Sequence, residues 1–344
     1  MPVLTRPRPA APALRTAKEP RRPARPSFVR RHAFPIAVLT PSLILIGIFV
    51  YGFIGYSVRV SLSQWQGLQP NLSTRQPFGQ TYDDLFHTAR FQADLRNVTV
   101  FTVLFLTLAV LIGLVLALLV HNALAGRAVF RAIFLFPYSL SFIVTGVVWR
   151  WIFTPSTGAN LILDKLGIEH GPKWITDPKV AGDVSAALET VIPGGDFIQV
   201  KLGIPLAVVP IVIAASWQLA GFAMANFLAA LGTLPEELRE AASLDGAGTW
   251  RYHWHIVLPW LRPMIVVVLI LLGHVSLKSF DLVYAMSGQG PGFATDVPGI
   301  FVFDQTFRAL RYNTGAAAAV VMLIMVAVVM VPYLYRSVLR EKKS

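Results

Sequence analysis

The sequence predicts an all-α integral membrane protein of six transmembrane helices, with a long polar loop between the fourth and the fifth. Three observations carry this prediction. Of the 344 residues, 55% are hydrophobic and only 14% charged, with a mean hydropathy of +0.59, whereas a soluble chain carries about 25% charged residues. Several apolar runs reach about 20 residues, the length that crosses a bilayer core. The basic residues behind the net charge of +12 cluster at the two ends and in alternate loops. That is the distribution of a topology signal, not of a nucleic-acid-binding face. Cysteine is absent, which excludes disulfides and thiolate metal sites.

Residues 1–33 hold nine Lys/Arg against one acid, Glu19, and are rich in Pro and Ala. This composition predicts a disordered basic tail that fixes orientation, with attraction to anionic lipid as the alternative. The spans are expected at Phe34–Val58, Asn97–Val120, Phe130–Phe153, Ile204–Leu231, Met264–Ala285 and Thr314–Tyr335. All should be helical, because hydrocarbon offers no partner for free backbone groups. The connecting loops are 59–96, 154–203, 232–263 and 286–313, and 336–344 is a short terminal tail. Lys/Arg residues are about twofold denser in the tail, the Arg127 loop, the loop with Arg239, Arg251 and Arg262, and the C-terminal end. The positive-inside rule puts that set, and both termini, in the cytoplasm. The 154–203 loop has four Lys against six Asp/Glu, as expected outside.

The 232–263 loop is therefore expected to be cytoplasmic. Thr233 and Glu236 have capping-box spacing, and Pro235 suits the first position of a helix. Glu236, Glu237 and Glu240 lie early in that helix, where carboxylates suit its dipole. Ala241 and Ala242 leave a low-relief patch that another surface can approach. Gly246, after Asp245, permits a turn that a Cβ would resist. A second helix with Trp250, Trp254 and Ile256 should follow and stop at Pro259.

Glu240-Ala241-Ala242, three residues, Gly246, nine residues, Ile256, one residue and Leu258-Pro259 resemble the signature of binding-protein-dependent ABC importer permeases. The likeness runs from about residue 30 to the end. It implies that this loop is a coupling helix seated in a cleft of an ATP-hydrolysing partner, with Glu240 meeting a charged group there and Gly246 as the hinge between two short helices. It further implies a second homologous permease, an ABC ATPase dimer and an extracytoplasmic sugar-binding protein, all around a bacterial or archaeal cytoplasmic membrane. ATP and Mg would be bound by the ATPase, with no cofactor in this chain. Six spans with the loop in this place resemble sugar permeases of the maltose-transporter type. Phe280-Asp281-Leu282-Val283-Tyr284, followed by Ser287-Gly288-Gln289-Gly290-Pro291-Gly292, is similar to the end of the fifth span in that group, although Gln289 interrupts the usual glycine triplet. Together with the long 177–203 stretch, it resembles permeases for glucose, mannose and related sugars.

Polar groups inside spans mark pathways or interhelical bonds. On an unbroken helix, His274, Lys278 and Asp281 share a face. They could form a polar wall for sugar hydroxyls, or a structural ion pair with Lys278 snorkelling. Phe280 and Tyr284 could stack on a sugar or simply pack. Trp217, Gln218 and Asn226 interrupt the fourth span, the two amides lying about two turns apart. Amides suit a polyol because each donates and accepts, but they equally suit interhelical bonds. Gly315 and Ala316–Ala319 read as a packing face. His253 and His255 lack companion ligands for a metal, and Asn71-Leu72-Ser73 reads as a chance sequon. No Gly-x4-Gly-Lys-Ser/Thr phosphate loop is present, so the chain is not expected to hydrolyse ATP by that chemistry. The alternative is an ion-coupled secondary transporter of a small polar solute, which would need its own coupling-ion site. A membrane-embedded enzyme would need a convergent catalytic constellation, and the sequence offers none.

Overall fold

The structure, a computed structural model, describes residues 28–122, 126–168, 171–185 and 198–341. Most of the expected basic tail therefore lies outside the described residues. The chain divides into two compact units, Met1–Phe53 and Ile54–Ser344. The first contains helix α1 (Phe28–Ile46) and a wide π turn, Gly47–Gly52. Its apolar side chains, Phe49 and Leu43 among them, are exposed, as they would be against lipid. Helix α2 (Phe53–Ser61) follows, and Ala37–Ser61 is long and apolar enough to cross a membrane.

The second unit is helical around one central span. Short helix α3 (Gln80–Phe86) leads into the long α4 (Ala89–Asn122). Next come α5 (Arg127–Leu135), α6 (Phe142–Ile152) and α7 (Ala159–Lys165). Strands β1 (Val180–Ala181) and β2 (Ile204–Pro205) form a two-residue antiparallel pair. Helix α8 (Val208–Leu231) is the centre: 72% of its apolar window is buried, against 28–33% for the spans beginning at Ala89, Thr249 and Tyr312. Its closest companion is α4, and their facing residues (Phe105, Ala109, Ala223, Phe227) are the heart of the core. The rest comprises α9 (Glu236–Leu244), α10 (Thr249–Tyr252), α11 (Leu258–Leu277), α12 (Asp281–Met286), α13 (Pro298–Phe303) and α14 (Tyr312–Glu341).

Five helical runs among the described residues can cross a membrane, and six if the bent pair of α5 and α6 is one span. That agrees with the predicted class, but four details differ. The second span is longer than expected, since α4 begins at Ala89. The fourth begins at Val208, because Ile204 and Pro205 pair with β1. The third is not a straight helix over Phe130–Phe153: it bends by 95° through a tight turn, Phe136–Ser139. Pro137 lacks the N–H that an unbroken helix needs there, and Leu140 and Ser141 are extended. The fifth breaks after Leu277, with Lys278 at φ −102° and Phe280 at φ −133°, ψ −59°.

Candidate functional site

The polar loop is built from three short-range devices. Helix α9 opens with Glu236 and Glu237 in its first turn, as the dipole favours. The capping box does not form, however. Thr233 closes α8 instead, donating from Oγ1 to the Ala230 carbonyl at 2.8 Å, and extended Pro235 occupies the cap position. The exit of α9 is a left-handed turn. Gly246 at φ +70° lets its N–H reach the Ser243 carbonyl (3.2 Å) and the Ala247 N–H reach that of Ala242 (2.9 Å). These paired bonds satisfy carbonyls that a helix end leaves open.

Pro259 does not stop the next helix. The run continues from Thr249 to Leu277 through a π turn, His253–Val257. This wider turn makes room for a ring that would press on the His255 carbonyl in an unbroken α-helix.

The loop's surface is unusual for a polar segment. Leu244 is 87% and Trp250 76% exposed, and Leu238 and Trp254 are also exposed, with the two indoles edge-on at 5.6 Å. Glu240, Ala241, Asp245 and Gly246 face outward, while Ala242 and Val257 are buried, and Ile256, Leu258 and Pro259 lie half-buried. Glu240 has no ion-pair partner among the described residues, whereas Glu236 sits 3.6 Å from Arg239.

The breaks in the third and fifth spans meet at one cavity of about 270 Å³. Phe142, the first residue of α6, lines it, as do Lys278, Phe280 and Asp281 from the other break, with Ala215 and Leu219 from α8. Lys278 and Asp281 are exposed and form no ion pair among the described residues. They do not share one helical face with His274, because the helix stops between them. Asp281 opens α12 instead. Phe280 stacks on Tyr284 at 5.1 Å, and the Tyr284 hydroxyl accepts from Arg308 Nη2 at 2.8 Å.

Gln218 is buried on the same helix as Ala215 and Leu219. Its Nε2 donates to the Leu140 carbonyl at 2.8 Å, the group freed by the bend, so α8 supplies the partner that hydrocarbon cannot. Its Oε1 has no partner among the described residues. Asn226 instead bonds back to Phe222 on its own helix at 2.8 Å, so the two amides do not act together. Trp217 is 41% exposed and meets Trp149 edge-on at 5.7 Å.

The sequence reading missed a buried polar cluster at the other end of the bundle. Arg90 forms 2.7 Å ion pairs with both Asp296 and Asp304, flanked by the rings of Phe293 and Phe301. Gln289, which breaks the glycine triplet, donates to Asp304. Asn97 Nδ2 ties the Phe293 and Asp296 carbonyls at 2.8 Å. Burial pushes the Asp296 carboxyl above the usual carboxylate range, against the pull of Arg90. The only signal in the sequence was an Arg90/Asp94 pair at i, i+4 ahead of an apolar run.

With this geometry in view, comparison with known proteins is specific. Residues 109–342 match the family described as "Binding-protein-dependent transport system inner membrane component". A relative from Pyrococcus horikoshii, named "Probable ABC transporter permease protein PH1215", is 34% identical over 313 residues, covering 90% of this chain and 97% of the relative. The "Xylose/arabinose import permease protein XacH" of Haloferax volcanii is 30% identical over 295 residues, covering 85% and 84%. In fold, the chain is similar to a bacterial alginate ABC transporter crystallised with an alginate pentasaccharide-bound periplasmic protein. The TM-score is 0.67 at 20% identity, over 88% of this chain and 92% of that one. The family match takes in the broken third span, the exposed loop and both breaks that bound the cavity, and the chain belongs to the family of binding-protein-dependent transport system inner membrane components.

Proposed function

We propose that this chain is one membrane subunit of an ATP-driven importer that moves a sugar into the cell by alternating access, with 232–263 as the contact for the ATPase. The observation that carries the reading is the exposed loop itself. Leu244 and Trp250 are open to solvent on a segment pinned by a left-handed glycine turn, beside a Glu240 without a partner among the described residues. Exposed apolar groups of this size, rimmed by charge, mark an interaction surface.

The loop has a mechanical route to the cavity. The helical run Thr249–Leu277 has 29 residues, about 43 Å at 1.5 Å per residue. One end carries the Trp250/Trp254 pair, and the other ends beside Lys278. Two ATPase subunits closing on ATP would shift the loop end, and the run would pass that motion to the break between α11 and α12. At the cavity, Lys278 donates to sugar hydroxyls, Asp281 accepts and Phe280 offers a ring face, while Tyr284, stacked on Phe280, and Trp217, set against Trp149, lie outside its lining. Gln218 holds the bend that shapes the far wall. A volume of about 270 Å³ lies just under the roughly 300–1,000 Å³ of small-molecule sites, which suits one half of a passage completed by a second permease.

A saccharide cargo is supported by the family and by the sugars named for similar proteins, xylose/arabinose and alginate. Within that class, the Phe280–Gly292 stretch favours glucose, mannose and their relatives. A binding protein delivering cargo to the face with loops 59–96, 154–203 and 286–313 completes the scheme, with both termini in the cytoplasm. The test is uptake of a labelled sugar panel by the reconstituted complex. Uptake should require ATP, the ATPase and the binding protein. Uptake that follows an ion gradient without ATP would overturn the reading in favour of a secondary transporter.

A further inference from the structure

We infer that Asp94 is a proton-binding site: its carboxyl keeps a proton at neutral pH and donates it to Asp296, closing a clamp between α4 and the 286–313 segment. Asp94 lies near the start of α4, at the end of the bundle away from the polar loop. It is fully buried, yet neither of its carboxyl oxygens has a partner among the described residues. A buried charge is too costly to keep unpaired, and a buried polar atom without a partner calls for a missing proton, water or ion.

The surroundings select the proton. The Asp94 carboxyl lies beside that of Asp296, within reach of a hydrogen bond. Two carboxylates can only accept, so one of them must carry a proton to donate to the other. Asp296 is the acceptor, because its Oδ2 takes Arg90 Nε at 2.7 Å and its Oδ1 takes the Val297 N–H at 3.0 Å, and such bonds favour the charged form. Asp94 has no donors of this kind. The charges whose fields reach it are Asp296, Arg90 and Arg96. Arg90 is spent on Asp296 and Asp304, and Arg308 also pairs with Asp304. Arg96 donates elsewhere, to Asn97 Oδ1 at 2.8 and 3.0 Å and to the Lys201 carbonyl at 2.8 Å. Among the described residues no three acids or histidines converge as metal ligands, which favours a proton over a metal cation.

This proton sits in the middle of a set of ties. One turn before it on α4, Arg90 holds Asp296 and Asp304. One turn after it, Asn97 Nδ2 holds the Phe293 and Asp296 carbonyls. The segment they hold follows α12, which opens at the cavity residue Asp281. When the Asp94 O–H bond breaks, the proton passes to solvent and two buried carboxylates are left side by side, where like charges repel. The clamp should hold at neutral pH and loosen on the alkaline side.

The test is infrared spectroscopy of the whole complex in an ester-free detergent, with the C=O stretch of a protonated carboxyl as the signal. The difference between wild type and Asp94→Asn at neutral pH should show one protonated carboxyl, and adding base to wild type should remove it. Asparagine keeps a donor for Asp296 but cannot ionise. Asp94→Asn should therefore melt near wild type at neutral pH and lose less of its melting temperature in alkali, since a proton held only in the folded state ties stability to pH. Asp94→Leu, without a donor, should melt below both. Absence of the band from wild type, or its survival in Asp94→Asn, would overturn the inference, as would equal alkaline losses in wild type and Asp94→Asn. The wild-type band and its loss in base need no variant, so a substitution that fails to fold leaves the test decisive. No transport is measured, so the result stands apart from the transport reading.

Discussion

Replacing Gly246 with valine is the sharpest perturbation of the coupling loop. The residue sits at φ +70°, and a Cβ added there would find no atom within 4 Å. The penalty is therefore conformational and not steric crowding by neighbours. Holding an L side chain in the left-handed region costs about 1–2 kcal/mol. If the turn relaxes to escape that strain, it loses the bonds from Gly246 to Ser243 and from Ala247 to Ala242, worth about 0.5–1.5 kcal/mol each. By either route the loop loses about 1–3 kcal/mol of preference for its docking shape, which weakens ATPase binding roughly 5- to 150-fold. In α9 only Ala242 is buried, so membrane insertion and the melting temperature should stay near wild type. The assay is titration of labelled ATPase onto the permease in nanodiscs, with Gly246→Asn alongside. Asparagine tolerates the left-handed region and should bind within about threefold of wild type. Valine binding within twofold of wild type, or asparagine as damaging as valine, would refute the reasoning.

Gln218→Leu should strand the Leu140 carbonyl and cost about 1–3 kcal/mol, altering uptake kinetics while ATPase co-purification is unchanged. Gly221→Ala would place a Cβ against the Phe134 carbonyl, a backbone atom at 1.9 Å. The third span must shift, and a loss of about 1–3 kcal/mol should appear in thermal unfolding. Arg90→Ala leaves buried Asp296 without its cation and Asp304 with only Arg308, 3.1 Å away, which costs about 3–5 kcal/mol and should lower the melting temperature sharply. The Asp296 carboxyl is held above the usual range by burial. The folded state therefore binds more protons than the unfolded state in that window, and stability declines as pH rises through the raised value. Asp296→Asn should lessen that decline without abolishing it, because the buried carboxyl of Asp94 lies beside it.

Much of the span pattern was legible because it rests on length and hydropathy alone, and an apolar run of 20 residues has few other uses. The loop's turn was legible too, since Gly246 fits a left-handed exit whatever surrounds it. The breaks were not. Pro137 sits in a run as apolar as its neighbours, and the bend depends on Gln218, 81 positions on, supplying the missing partner. The break at Lys278–Phe280 carries no proline or glycine, so tertiary contacts decide it, and a face drawn through His274, Lys278 and Asp281 failed for that reason. Pro259 misled in the opposite direction, because a π turn absorbed a ring that usually ends a helix. The Arg90 cluster joins residues about 200 positions apart, and no local pattern marks such a pairing.

The chain has no cysteine, so a single one introduced at Leu244, 87% exposed, reports without background. Cross-linking Leu244→Cys to the ATPase in right-side-out and inverted vesicles tests the coupling assignment most directly. A cross-linked product should form, and an impermeant thiol reagent should label Leu244→Cys only in inverted vesicles, with labelling blocked when the ATPase is bound. The opposite pattern should hold for Leu68→Cys on the 59–96 loop. Labelling of Leu244→Cys from the outside, or free labelling with the ATPase bound, would contradict the assignment.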